Sequence, residues 1–167
     1  MPAIEKSILK NIYSTLERNK LNIPLFLCVF FLDLVFHLTL SWFVNLYDPK
    51  ILEIFDENYT LTEIFILSVI IGPIIESFLF QYLIIEILYI FKIIKVEIIL
   101  IISALAFSLS HYYNFIYILI TFISGLIYAS YYIYLKIEKK KFPFLYILAL
   151  HSLYNFTVFI LNDILGW

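Results

Sequence analysis

Four side chains in this sequence could together cut an amide bond. Glu76 sits in Glu76-Ser-Phe-Leu-Phe-Gln81, His111 in Phe107-Ser-Leu-Ser-His111, and His151 and Asn155 in His151-Ser-Leu-Tyr-Asn155. A carboxylate can take a proton from water. Imidazole and carboxamide can donate hydrogen bonds to the oxyanion that forms on a carbonyl. His151 and Asn155 are four apart, so on a helix they share one face. The same groups fit a second chemistry. Glu76, His111 and His151 make a plausible zinc set with the fourth position left to water. Their spacing, on separate segments, matches no compact zinc signature.

These three polar islands lie in apolar stretches, and that context makes them informative. The chain has 167 residues, 63% hydrophobic and 14% charged, against the roughly half apolar content of a soluble domain. The excess runs along the whole length, which predicts a polytopic, all-α transmembrane bundle. An ionisable group at bilayer depth is costly and usually marks a site. The single cysteine, Cys28, excludes an intrachain disulfide and reads as a small packed hydrophobe.

About five spans are expected. Residues 1–20 carry Ile4, Ile8, Ile12 and Leu16 at helical spacing and read as a cytoplasmic amphipathic helix lying on the membrane. Residues 21–60 hold a first span, to about Tyr47, and an acidic external loop with Asp48, Glu53, Asp56 and Glu57. The rest, 61–167, forms the candidate catalytic core. A second span covers Leu61 to Phe91, longer than the ~20 residues needed to cross. It is either a tilted helix bent at Gly72-Pro73 or a helix with an interfacial extension. The third runs from Lys95 to His111 or a little beyond, the fourth from Asn114 to Leu135 and the fifth from Phe142 to Leu165.

Charge sets the direction. With five spans, Lys6, Lys10, Arg18, Lys20, Lys92, Lys95, Lys136, Lys139, Lys140 and Lys141 fall on one side and only Lys50 on the other. The positive-inside rule makes the first side, with the N-terminus, cytoplasmic. At ~1.5 Å per residue, Glu76 and His111 then lie roughly 20 Å from the cytoplasmic ends of their spans, Asn155 about as deep and His151 somewhat shallower. The four share the middle layers.

Other residues have plainer readings. Asp33 and His37, four apart in the first span, read as a satisfied pair or as cavity lining. Glu86, near a helix end, is expected to snorkel or pair with Lys92 or Lys95. Trp42, Tyr112, Tyr113, Tyr117 and Trp167 read as interface aromatics. Lys139 to Lys141 read as a topogenic cluster that also favours anionic lipid.

The islands, in order and spacing, resemble the motifs of the CPBP (CAAX protease and bacteriocin-processing, also called Abi) intramembrane proteases. Pro73-Ile-Ile-Glu76-Ser77-Phe-Leu-Phe80-Gln81 is similar to the first motif, E-E-x-x-x-R. The segment ending in His111 matches F-x-x-x-H through Phe107, and His151 to Asn155 matches H-x-x-x-N. The resemblance covers roughly Leu61 to the C-terminus. It implies an intramembrane endopeptidase that cuts a membrane-embedded or lipidated peptide or protein tail. Glu76 would be the water-activating base, His111 the family's catalytic histidine, and His151 and Asn155 the oxyanion site. No cofactor is required, although zinc fits the metalloprotease label often given to the family. Two positions depart from the pattern: Ser77 stands for the second glutamate and Gln81 for the arginine. Both charges of a supporting ion pair are gone, and a neutral Ser/Gln hydrogen-bonding arrangement is expected instead. Other functions remain open. One is a catalytically silent scaffold or bacteriocin-immunity protein of the same fold. Another is a small proton-coupled transporter, which the absence of an inverted repeat disfavours. The expected setting is a bacterial cytoplasmic membrane; separately, high Ile, Lys, Tyr and Asn with low Gly and Ala point to an AT-rich genome. No nucleic-acid partner is expected.

Overall fold

A computed structural model describes residues 22–48, 51, 59–91 and 95–166. The expected amphipathic helix at 1–20 lies outside the described residues, as do Glu53, Asp56, Glu57, Lys92 and Trp167. Among the described residues every extended element is a helix. They are α1 (Ile23–Tyr47), α2 (Leu61–Ile90), α3 (Val96–Leu109), α4 (Phe115–Ile137) and α5 (Pro143–Ile164). Four of them, α1, α2, α4 and α5, are long and apolar enough to cross a membrane.

The distribution of side chains confirms a lipid-facing surface. Phe31, Leu32, Val35, Ile70, Ile75, Phe78, Ile101 and Leu105 are exposed, while Asp33, Ser77, Gln81, Ser103, Ser108, Ser124 and His151 are buried. Water would drive the opposite sorting; lipid tolerates apolar exposure and forces polar groups inward. Cys28 departs from expectation, since it lies exposed on α1 rather than packed.

Helix starts follow local chemistry. Asn22 accepts from the Leu25 N–H ahead of α1, and Thr60 and Glu63 cap α2 reciprocally. Asn114 accepts from the Tyr117 N–H at 2.8 Å to start α4, and Pro143 opens α5. The central helix is α4, with Tyr128, Ala129, Tyr132 and Ile133 buried. It crosses α3 very closely at Gly125, where a Cβ would stand 2.9 Å from the Ala104 Cα. Only glycine permits that approach.

Two elements add to or differ from the sequence expectation. The second span is one continuous helix, and its disturbance around Gly72-Pro73 takes a form the sequence did not specify. It winds wide, with π-type turns at Ile66–Ile71 and Ser77–Leu83 on either side of an α-spaced turn, Gly72–Glu76. The first wide turn absorbs Pro73, whose ring would otherwise crowd the carbonyl four residues earlier. The third helix is shorter than expected at 14 residues. It ends at Leu109 because the chain turns through Ser110 to Tyr113 before Asn114 caps α4. His111 therefore lies in that turn, just past the helix.

Candidate active site

Glu76 closes the α-spaced turn of α2 and faces the end of α3 and the middle of α5. Its Oε2 stands 3.6 Å from the His111 Nε2 and 3.6 Å from the His151 Nε2. The structure thus brings three of the four sequence-predicted residues to one point. Access is graded: the side chains are 25% (Glu76), 14% (His111) and 4% (His151) exposed. The carboxylate can be reached while His151 is sealed in.

Each 3.6 Å contact is longer than a direct hydrogen bond, so a water against Oε2 can be shared. The rear partners of the two rings decide what each presents. The His111 Nδ1 lies 2.8 Å from the Phe107 carbonyl, which can only accept, so Nδ1 carries the hydrogen. A neutral His111 then turns a lone pair on Nε2 toward Glu76. The His151 Nδ1 lies 3.2 Å from the Ser77 Oγ. With the Ser77 hydroxyl donating, His151 carries its hydrogen on Nε2 and aims a donor at Glu76 and its surroundings. One ring accepts and the other donates.

Phe107 builds the wall between them. Its ring centroid is 4.7 Å from that of His111 and 5.7 Å from that of His151, with Phe80 and Tyr128 on its other sides. Tyr117, expected at the interface, is partly buried with its ring 5.8 Å from His111, so it belongs to the mouth of the site. Tyr112, Tyr113 and Trp42 are exposed as expected.

The fourth residue is engaged elsewhere. The Asn155 Nδ2 donates to the Ser68 carbonyl of α2 at 2.7 Å. The expected Ser77/Gln81 arrangement is not formed either. Ser77 serves His151, while Gln81 is fully buried with neither its Oε1 nor its Nε2 partnered among the described residues.

Two further polar clusters surround the site. Asp33 accepts from the Ser124 Oγ at 2.6 Å and the Tyr128 hydroxyl at 2.7 Å, and His37 Nε2 lies 2.5 Å from the same Ser124 Oγ. Asp33 and His37 are thus a satisfied pair bonded to α4. Tyr128 also packs its ring 5.1 Å from His151. Glu86 bonds the Lys136 Nζ at 2.6 and 2.5 Å and the Tyr132 hydroxyl at 2.7 Å. Its partner among the described residues is Lys136 rather than Lys95, because α2 packs alongside the end of α4; Lys92 lies outside the described residues. Sequence spacing carried a signal for these partners: Ser124, Tyr128, Tyr132 and Lys136 recur every fourth residue on one face of α4.

Among the described residues no group of three or more His, Cys, Asp or Glu is arranged to hold a metal ion. Glu76, His111 and His151 as placed do not form a ready zinc set.

The fold and site define a polytopic helix bundle with a partly accessible Glu–His–His centre. The family model for the type II CAAX prenyl endopeptidases, Rce1-like, matches residues 58–157, and the chain belongs to that family. This is a family of CAAX-type proteases that act on membrane-associated substrates. The match takes in all four candidate residues and leaves α1, with Asp33 and His37, outside it. A comparison with curated proteins finds no match, and neither does one with solved structures.

Proposed function

We propose that this chain is an intramembrane endopeptidase in which Glu76 activates water against a peptide bond of a membrane-embedded or lipidated tail. The observation that carries the reading is the placement of one carboxylate oxygen 3.6 Å from an imidazole nitrogen of each of two histidines. Water gives one hydrogen bond to Glu76 Oε2 and one to the His111 Nε2. Glu76 takes the proton as the water oxygen bonds to the scissile carbonyl carbon. The His151 Nε2–H stabilises the oxyanion, in a site shielded enough for such a donor to count. The intermediate then collapses, the C–N bond breaks, and Glu76 returns its proton to the departing amine.

In this reading the N-terminus is cytoplasmic and the protein resides in a bacterial cytoplasmic membrane, as its charge distribution and composition suggest. The test is cleavage by purified protein in nanodiscs, using prenylated tail peptides and leader-type peptides. Wild type should cut and Glu76→Gln should not. Loss of activity on chelation with recovery on added zinc would replace the metal-free mechanism while keeping the residues. Wild-type protein that cuts nothing would favour a silent scaffold or immunity protein. Gln81, which stands where the family pattern has arginine and has no hydrogen-bond partner among the described residues, is the observation on that side.

A further inference from the structure

One carbonyl in α2 cannot be satisfied by its own helix. The donor four residues after Ser68 is Gly72, whose N–H goes instead to the Leu67 carbonyl. The residue five after Ser68 is Pro73, which has no N–H. Neither of the two backbone positions that a helical turn would use supplies a donor to the Ser68 carbonyl, and the Asn155 amide reaches it from α5 at 2.7 Å. The second wide turn repeats the pattern. Ile84 donates to the Leu79 carbonyl, so a return to four-residue spacing passes over the Phe80 carbonyl. There the Ser103 Oγ of α3 donates at 2.8 Å. Glu76 lies between the two supported carbonyls.

We propose that Asn155 is a positioning residue: by capping the carbonyl that Pro73 orphans, it holds the wide turn that aims Glu76 at the two histidines. A bare carbonyl at membrane depth is strongly disfavoured. Without the amide, α2 relieves it by rewinding, and each residue of register shift turns the following side chains by about 100°. Glu76 would then swing away from both rings. The consequence for rate rests on the peptidase reading above; the consequence for packing does not.

The experiment is a double-mutant cycle between Asn155→Ala and Pro73→Ala, read by apparent thermal midpoint in detergent and by amide hydrogen exchange over residues 66–76. Alanine at 73 supplies an N–H five residues past Ser68. Asn155→Ala alone should lower the midpoint by roughly 3–6 °C and speed exchange in the first wide turn. In the Pro73→Ala background both effects should shrink to less than half. Equal losses in the two backgrounds would overturn the proposal. If Pro73→Ala does not fold, Asn155→Leu and Asn155→Gln decide the matter. The leucine, similar in size but without a donor, should lose the midpoint and exchange protection, and the glutamine should recover part of both. A leucine variant indistinguishable from wild type would overturn it. In a cleaving wild type, Asn155→Leu should lower kcat at least 10-fold with KM little changed, and Asn155→Gln should restore part of the rate. A wild type that does not cleave would sink the peptidase reading, while the midpoint and exchange arms still judge this one.

Discussion

Asp33 and Glu76 are both intramembrane carboxylates beside histidine, and they are held in opposite ways. Asp33 is 1% exposed, with hydroxyl donors at 2.6 and 2.7 Å. Glu76 is 25% exposed and meets its two histidines at 3.6 Å. The first arrangement is closed and leaves little room for a further ligand on the carboxylate. The second leaves the carboxylate partly exposed, with its histidine contacts beyond direct hydrogen-bonding range. A buried charge with direct donors at short range serves packing, whereas one with partners just beyond hydrogen-bond reach is available for chemistry. The two are neighbours through Tyr128, which bonds Asp33 with its hydroxyl and packs its ring on His151.

The comparison breaks if the two carboxylates respond alike. The largest expected effect is on rate: Glu76→Gln should lower turnover by up to about 10⁴-fold while the thermal midpoint stays within a few degrees, since the change removes a buried charge. Next, His151→Ala should cost about 100- to 1000-fold in kcat through the lost oxyanion donor. Asp33→Ala should do the reverse of Glu76→Gln. It leaves Ser124 and Tyr128 without their acceptor and should lower stability by about 1–3 kcal/mol, read by unfolding in detergent, with a smaller loss of rate. An Asp33→Ala protein of wild-type stability that has lost all turnover would erase the distinction. Ser77→Ala sharpens it: with no hydroxyl to fix the ring, His151 loses its preferred tautomer, and kcat should fall about 10-fold, less than for His151→Ala. The smallest effect belongs to Glu86→Gln at the helix ends, about 0–1 kcal/mol and weakened by salt.

The polar islands were legible because apolar surroundings made them conspicuous. Glu76, His111 and His151 could be grouped before any geometry was known, and the all-helical bundle followed from the length of the apolar runs. What the sequence withheld was winding and partnership. The run from Leu61 to Ile90 shows a disturbance at Gly72-Pro73, but nothing in its composition marks the second wide turn, Ser77–Leu83. The shift of Asn155 to the Ser68 carbonyl depends on that winding. The pairing of Glu86 with Lys136 depends on packing between helices 50 residues apart in sequence. Ser124 and Tyr128 read as ordinary members of an apolar span until Asp33 is placed opposite them. Gln81 was expected to share a hydrogen bond because its type allows one, and burial without a partner is visible only in three dimensions.

The shortness of α3 has a consequence for the lipid. Fourteen residues rise about 21 Å, against a hydrocarbon layer of ~30 Å. Its neighbours are long enough to match that layer, so the mismatch is confined to one flank of the protein. Bilayers answer a short hydrophobic segment by thinning beside it, at a modest cost per ångström that differs among membranes. The headgroups and their water are therefore drawn inward on the side where α3 ends, next to His111. Turnover should rise in nanodiscs of shorter-chain lipid and fall in thicker ones, so that membrane thickness sets how readily water and a substrate tail reach the carboxylate.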